Sequence, residues 1–397
     1  MDIPCEKGKT SNLKNRLIGH IQGYAQGPIV LFFAAIHGNE PAGVIALQKI
    51  FIGLEHRKAE IKGDIYGIIG NLNALNAGQR FIDEDLNRIW TKNRIDQLDK
   101  KANLLDEETE MQNVWNLIQD ILQNVNGPVY FIDFHTTSSK TSPFITINDS
   151  LNNRKFALQY PVPIILGIEE YLDGTMLNYI NQKGYVAIGF EGGQNQEEKS
   201  IAHFEAFIYL TLNFAGLIKK LSFPFFDQYY DFLDNSTGSL RKVFEIVYLH
   251  KIDVWDRFMM YGGFESFQVI RQGMDLAIHN DQIVKAPYAG RIFMPLYQSQ
   301  GNDGFFIIQK IPFFALNLSS FLRKLKVDNL LTLLPGVRWE VRDKMILKVN
   351  SRTARFLTKP FFHLLGYRVR LKEGDYLKLS NRERVAKKKM YRKEKWY

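Results

Sequence analysis

The sequence predicts an α/β fold for its first 222 residues, because short apolar runs alternate there with stretches of helical periodicity. Residues 28–36 (PIVLFFAAI) form a continuous apolar run without period-two alternation, which is typical of a strand buried on both faces of a sheet. Residues 41–51 follow as a helix with proline at its start. Further strand candidates are residues 65–71, 129–134 and 186–190, and residues 109–125 have helical spacing. Together these elements predict a largely parallel, doubly covered sheet.

The pattern changes after about residue 222. Short strand-like runs punctuated by glycine and proline continue to residue 311, which predicts a smaller all-β domain at 223–311. A C-terminal extension, 312–397, opens with one candidate amphipathic helix at 313–326. We therefore expect three parts: an α/β domain at 1–222, the β-rich domain, and the extension.

Charge is unevenly distributed along the 397 residues. The chain has 51 Lys and Arg against 42 Asp and Glu, a formal charge of +9, and residues 382–397 alone contain eight basic and two acidic residues. That segment contributes +6, so the rest of the chain carries only +3. We interpret residues 382–397 as a solvated, dispensable basic tail.

Composition also limits the class of protein. The single cysteine, Cys5, excludes an internal disulfide, and no apolar run approaches the 18 residues of a membrane-spanning helix. The first residues lack the apolar stretch of a signal peptide. We expect a soluble cytoplasmic protein without a transmembrane segment, and the sequence leaves open whether it forms a homo-oligomer.

Polar residues with metal-binding chemistry follow three of the predicted strands. His37 and Glu40 follow the first strand, His135 follows the strand at 129–134, and Glu191 follows the strand at 186–190. In an open parallel sheet, ligands bind beyond the carboxyl ends of the strands. Two imidazoles and a carboxylate suit Zn²⁺, and a catalytic zinc keeps three protein ligands and one open position. The alternative is that each histidine is a loop residue with local hydrogen bonds.

Glu191 and two arginines complete the candidate site. A second carboxylate beside the metal suits a general base and acid, although a glutamate at a strand end is also a common surface residue. Arg80 and Arg88 can bind a substrate carboxylate or stabilise an oxyanion. They can also pair with the acidic residues of their own loop, 83–85.

Four motifs occur in order: HGNE at 37–40, RFIDEDLNR at 80–88, DFHTT at 133–137 and GFEGG at 189–193. Together they resemble the succinylglutamate desuccinylase/aspartoacylase family, a branch of the zinc-carboxypeptidase-like hydrolases. The resemblance covers residues 28–195, and the β-rich part is similar to that family's smaller β domain. It implies a three-layer α/β/α zinc-hydrolase domain with a mixed, mostly parallel sheet.

The resemblance also implies roles for individual residues. It implies His37, Glu40 and His135 as ligands of one Zn²⁺ per chain, and Glu191 as the residue that activates water. Arg80 would polarise the scissile carbonyl, Asn87 and Arg88 would bind the α-carboxylate of the substrate, and Asp133 would orient a ligand imidazole. The implied activity is hydrolysis of the linear amide bond of a small N-acyl amino acid.

Two positions depart from the aspartoacylase branch. Asn181 occupies the position of a further substrate-binding arginine, and the match around Tyr288, near a substrate tyrosine of that branch, is short. These departures argue against N-acetylaspartate as the substrate.

Three other functions remain to be weighed. One is a zinc carboxypeptidase-like peptidase, which uses nearly the same residues. A second is a binder of nucleic acid or anionic membranes through the basic tail, although no nucleic-acid-binding module is recognisable and no specific nucleic acid is expected. A third, a metal-free binding protein, is disfavoured because every catalytic position is filled.

Overall fold

The computed structural model describes residues 13–123, 125–340, 344–350, 352–353 and 359–397. Cys5 and the N-terminal residues on which the signal-peptide expectation rested therefore lie outside the described residues. Within the described ranges, no helix is both long enough and apolar enough to cross a membrane.

Strands of the described chain form one large sheet and two small ones. The large sheet has eleven strands in the order β1-β3-β2-β4-β7-β5-β6-β8-β14-β13-β10. In chain order the strands are β1 Leu17–Gln22, β2 Ile29–Ala34, β3 Asp64–Ile69, β4 Val129–Thr137, β5 Phe144–Ile147, β6 Ile164–Leu166, β7 Val186–Gln194, β8 Val243–Lys251, β9 Phe258–Met260, β10 Val269–Ile270, β11 Asp275–His279, β12 Gln282–Lys285, β13 Gly290–Phe293, β14 Asp303–Lys310, β15 Val337–Trp339, β16 Ile346–Asn350, β17 Tyr367–Glu373 and β18 Tyr376–Asn381.

The helices of the described chain cover both faces of the large sheet or pack in the C-terminal extension. They are α1 Ala42–Glu55, α2 Leu72–Ala77, α3 Lys92–Gln97, α4 Asp106–Leu122, α5 Leu151–Ala157, α6 Met176–Gln182, α7 Glu198–Phe214, α8 Phe226–Thr237, α9 Phe313–Lys324, α10 Lys359–Leu364 and α11 Lys388–Tyr391. Helices α1, α5, α7 and α8 pack in the core on one face, and α4 and α6 pack in the core on the other. The predicted three-layer α/β/α arrangement is confirmed.

Strand β2 shows why the apolar runs predicted the sheet. Val30 and Phe32 belong to one core and Leu31 and Phe33 to the other, and all four side chains are fully buried. A strand that is covered on both faces needs apolar residues at every position, which removes the period-two alternation. β2 pairs in parallel with β3 and β4, and β4 pairs in parallel with β7, so the carboxyl ends of these strands meet at one edge.

The β-rich segment is continuous with the large sheet. Strand β8 pairs in parallel with β6, and β14, β13 and β10 extend the sheet further by antiparallel pairing. Only β9, β11 and β12 form a separate three-stranded sheet. Helix α8, beyond residue 222, contributes Phe226 and Leu233 to the first core. The proposed boundaries at residues 222 and 311 stay a prediction.

The C-terminal extension contains its own antiparallel sheet, ordered β15-β16-β18-β17, with α9 and α10 beside it. Its small core includes Leu347, Phe362 and Leu379. The helix predicted at 313–326 is observed as α9.

The expectation of a solvated basic tail is wrong. Tyr391 is fully buried, Trp396 is 8% exposed, and both belong to the first core, where they contact Tyr130. The Tyr391 hydroxyl accepts a hydrogen bond from the Val186 backbone nitrogen and donates one to the Val129 carbonyl. Arg382 is also buried and donates to Asn178, while Arg384 pairs with Asp328 and Lys388 with Glu383. The long stems of the other basic side chains let their charged ends reach solvent while the intervening rings pack.

This packing predicts that the last residues stabilise the fold. Trp396→Ala should lower the free energy of unfolding by about 3 kcal/mol, because a buried aromatic ring is lost. Tyr391→Phe should cost about 1–3 kcal/mol, because it leaves two buried backbone groups unpaired. Chemical denaturation measures both changes. The control, Trp255→Ala, removes a ring that is 93% exposed and should change stability by no more than about 0.5 kcal/mol. A Trp396→Ala protein as stable as wild type would contradict the packing.

Candidate active site

The carboxyl edge of the parallel strands brings the predicted ligands together. His37 and Glu40 lie between the end of β2 and the start of α1, whereas His135 lies on β4. Glu191 lies on β7, directly opposite His135 in the parallel register. Nitrogen and oxygen atoms of His37, Glu40 and His135 lie within 4.8 Å of one another, and all three residues are buried.

Glu40 contacts both imidazoles. Its Oε1 lies 2.8 Å from Nδ1 of His37, and its Oε2 lies 3.1 Å from Nδ1 of His135. The backbone nitrogen of Thr136 donates to Oε2 at 2.9 Å. Burial would raise the pKa of Glu40, but the two histidines hold it well below its usual value. The carboxylate is therefore charged and positioned between the two rings.

Asp133 contacts the opposite side of the His135 ring. Its Oδ2 lies 2.9 Å from Nε2 of His135, and the Asp133 side chain is fully buried. Burial alone would lower the pKa of His135, but the Asp133 carboxylate raises it well above the usual value. A hydrogen bond from Nε2 to Asp133 leaves Nδ1 directed at Glu40, which is the arrangement that orients a metal-binding imidazole.

Arg80 and Asp85 surround the second ring nitrogen of His37. Nη2 of Arg80 lies 2.9 Å from Nε2 of His37 and 3.1 Å from Oδ2 of Asp85, and Oδ1 of Asp85 lies 3.2 Å from the same ring nitrogen. Burial would raise the pKa of Asp85, but His37 and Arg80 hold it well below its usual value. The alternative that Arg80 pairs within its own loop is thus partly correct, but the pair is buried against the histidine.

Glu191 is a buried acidic group at this edge of the sheet with an unpaired carboxyl oxygen. It is 7% exposed, and its Oε2 has no hydrogen-bond partner among the described residues. Burial raises the pKa of Glu191 to about 8; His135 opposes this shift, while the Glu40 and Asp133 carboxylates add to it. A glutamate in this position can exchange a proton near neutral pH.

Asn87 and Arg88 follow Asp85 in a short helical turn. Asn87 accepts a hydrogen bond from the Met176 backbone nitrogen at 3.0 Å, which ties the turn to the start of α6. Arg88 donates from Nη2 to Oδ2 of Asp303 at 2.6 Å. Asp303 begins β14 in the β-rich segment, and the sequence analysis missed it because no motif surrounds it.

All of these residues line one cavity of about 800 Å³. The β-rich segment contributes residues 252–254, Asp256, Phe258 and the loop 298–303 to the lining. Tyr288 is not part of the lining and instead contacts Tyr248. Asn181 also lies outside it, where it accepts a hydrogen bond from Asn153 at 2.7 Å.

Carboxylates outnumber cationic side chains in this lining. Nine carboxylates line the cavity: Glu40, Asp83, Glu84, Asp85, Asp133, Glu191, Asp253, Asp256 and Asp303. Three arginines do so: Arg80, Arg88 and Arg94. No lysine is found in this lining among the residues that the structure describes.

The donor set fits a zinc ion. Two imidazole nitrogens and one carboxylate oxygen are the ligands that zinc takes in hydrolases, and a fourth position stays open for water. Glu191 lines the same cavity, and its buried Oε2 has no hydrogen-bond partner among the described residues.

Part of the chain is similar to known proteins. The family model described as the succinylglutamate desuccinylase/aspartoacylase catalytic domain matches residues 26–208. A succinylglutamate desuccinylase from Pseudomonas putida is 34% identical over 61 residues, which span 15% of this chain and only 18% of that protein.

Two solved structures share the fold. A succinylglutamate desuccinylase/aspartoacylase from Rhodobacter sphaeroides superposes with a TM-score of 0.53 at 13% identity, covering 72% of this chain and 87% of that one. An aspartoacylase family protein from Mesorhizobium loti gives 0.51 at 17% identity, covering 73% and 88%. At these identities the likeness concerns the fold alone. Residues 26–208 thus match the catalytic-domain model of the succinylglutamate desuccinylase/aspartoacylase family, and the chain shares the fold of solved structures that carry that family name.

Proposed function

We propose that this chain is a zinc-dependent hydrolase that removes the acyl group from a small N-acylated amino acid. One observation supports this most: the buried group His37, Glu40 and His135 shares a cavity with Glu191, a buried carboxyl whose Oε2 has no partner among the described residues. The three grouped residues would hold one Zn²⁺. A bound zinc supplies Lewis-acid chemistry, which activates water and polarises an amide carbonyl.

Each residue of the site then has a separate role in hydrolysis. Glu191 accepts the proton of the attacking water and returns it to the departing nitrogen, which a group with a pKa near the working pH does well. Arg80 lies beside His37 and stabilises negative charge that develops on the carbonyl oxygen. Asn87 and Arg88, one turn away, bind the substrate carboxylate.

A carboxypeptidase-like activity is the second candidate. It uses the same groups but needs an open path for a peptide chain. Here the β-rich segment contributes the loop 298–303 and residues 252–254 to the cavity wall, and this favours a small substrate. Binding of nucleic acid or membranes through the C-terminal basic segment loses support, because the aromatic rings Tyr391 and Trp396 are buried. Cytoplasmic localisation stays a prediction.

Metal content tests the ligand set. We expect about one Zn²⁺ per chain and the loss of most of it in His135→Ala, because two remaining ligands bind zinc weakly. Elemental analysis after dialysis measures this. His20→Ala, which changes a histidine paired with Asp64 away from the site, serves as the matched control and should keep its metal. Wild-type zinc content in the His135→Ala protein would remove His135 from the ligand set.

Glu191→Gln separates chemistry from metal binding. The amide keeps the size of the side chain but cannot take a proton, so kcat should fall by about 10² or more while zinc content is unchanged. Steady-state hydrolysis of N-acyl amino acids measures it. Glu205→Gln, which alters a surface glutamate paired with Lys49, should behave as wild type. A kcat near normal in Glu191→Gln would exclude Glu191 as the base.

Arg88→Ala tests the carboxylate site. Loss of a charged hydrogen bond that is made before the transition state should raise KM roughly tenfold and leave kcat nearly unchanged. The control is Arg94→Ala, which removes a lining arginine paired with Glu84 and should change KM little. If kcat falls and KM stays constant, Arg88 acts at the reacting carbonyl instead.

A further inference from the structure

The β-rich segment contributes an acidic corner to the cavity wall, formed by Asp253, Asp256 and Asp303. Asp303 begins β14 and pairs in register with Lys251 at the end of β8, and the Ile252 nitrogen donates to the Asn302 carbonyl at 2.9 Å. Asp253 and Asp256 follow within a few residues. All three carboxylates line the cavity that also contains the candidate metal ligands.

The lining arginines do not offset this charge, because each has a carboxylate partner within the protein. Arg80 pairs with Asp85 at 3.1 Å, Arg88 with Asp303 at 2.6 Å, and Arg94 with Glu84. A substrate carboxylate that binds Arg88 would take the place of Asp303, and a second carboxylate would find no unpaired arginine among the described lining residues. Placing a further carboxylate beside these acidic groups in a partly buried cavity is unfavourable.

Two of the outer carboxylates are available to a ligand. Within the described residues, Asp253 has no ion pair or hydrogen bond through its carboxylate, and Asp303 uses only Oδ2, toward Arg88. Asp256, by contrast, accepts hydrogen bonds from the Asp253 nitrogen and from Asn280. Asp253 and Asp303 are thus the residues that can receive a positive group.

Glu191, which lines the same cavity, gives an independent indication that a ligand binds there. Glu191 is more than nine-tenths buried, and its Oε2 lacks a partner among the described residues. A ligand that reaches from Glu191 toward Asp303 would place its reacting amide at one end and its distal group against the acidic corner.

We propose that the substrate carries a cationic group, an ammonium or guanidinium, in addition to its acylated nitrogen. This inference rests on the proposed function and names its substrate class: N-acyl derivatives of basic amino acids. Arg88 receives the carboxylate, while Asp303 and Asp253 receive the cation. Arg88 and Asp303 thereby offer one positive and one negative partner to a ligand that carries both a carboxylate and a cation.

The test compares ligands that differ in charge. Zinc-loaded Glu191→Gln protein is titrated by calorimetry with Nα-acetyl-lysine, with Nα-acetylnorleucine, which has the same four-carbon side chain without the ammonium, and with N-acetylaspartate. We expect acetyl-lysine to bind about tenfold more tightly than acetylnorleucine and acetylaspartate to bind most weakly. In the Asp253→Asn/Asp303→Asn protein the preference for lysine should disappear. Asp275→Asn, which alters an exposed aspartate paired with Lys285, should retain it.

Equal binding of acetyl-lysine and acetylnorleucine, or tighter binding of acetylaspartate, would overturn the inference. All three ligands are compared on the same Glu191→Gln protein, which should not hydrolyse them. The result therefore requires neither turnover nor a folded double variant. Hydrolysis of the same three compounds by the wild-type protein tests the proposed function separately. If none is hydrolysed, amide hydrolysis of this substrate class fails, whereas the order of binding still decides the charge preference.

Discussion

Glu40 is a buried carboxylate between two histidines, and its charge governs the arrangement of the catalytic edge. An uncompensated charge at such a depth is very costly, so the groups around it must neutralise it. His37 and His135 contact it directly, and Arg80 lies 3.5 Å from Oε1. Asp85 then contacts His37 and Arg80, and Asp133 contacts His135. A site connected in this way is held in place before any ligand arrives.

Glu191 is also a buried acidic group of this edge, but its Oε2 has no cationic or hydrogen-bonding partner among the described residues. Its register partner His135 is already engaged by Asp133 and Glu40, so Glu191 has no hydrogen bond at Oε2 within the described part of the chain. A buried acid without a partner gains a proton, and its pKa moves toward neutrality. The same constraint that stabilises the candidate metal-binding group thereby produces a candidate acid and base beside it.

A second buried carboxylate attaches the C-terminal extension. Asp149 is fully buried and pairs with Arg154 at 2.6 Å, with Arg323 of α9 at 2.8 Å and with Arg368 of β17 at 3.0 Å. Burial would raise the pKa of Asp149, but the three guanidinium groups hold it well below its usual value. Two of these arginines come from the extension. Together with Tyr391 and Trp396 in the first core, they make the extension part of the body of the protein.

Local sequence was sufficient to predict the strands that carry the site. It was insufficient to predict the long-range contacts around them. The apolar runs at 28–36 and 129–134 predicted strands because burial on both faces requires it, and the carboxyl ends of parallel strands brought His37 and His135 together. Asp303 and the packing of Trp396 could not be predicted, because both depend on contacts with residues more than two hundred positions away. The many basic residues near Trp396 in the sequence predicted an exposed segment, although the Trp396 ring is buried.

The central claim is that His37, Glu40 and His135 hold the catalytic zinc. Diffraction from crystals of the zinc-loaded protein, collected on both sides of the zinc absorption edge, tests it most directly. The account predicts one anomalous peak about 2.0–2.2 Å from a ring nitrogen of each histidine and from a Glu40 oxygen. A peak bound by other residues, or the absence of a peak at this group in zinc-saturated crystals, would contradict it.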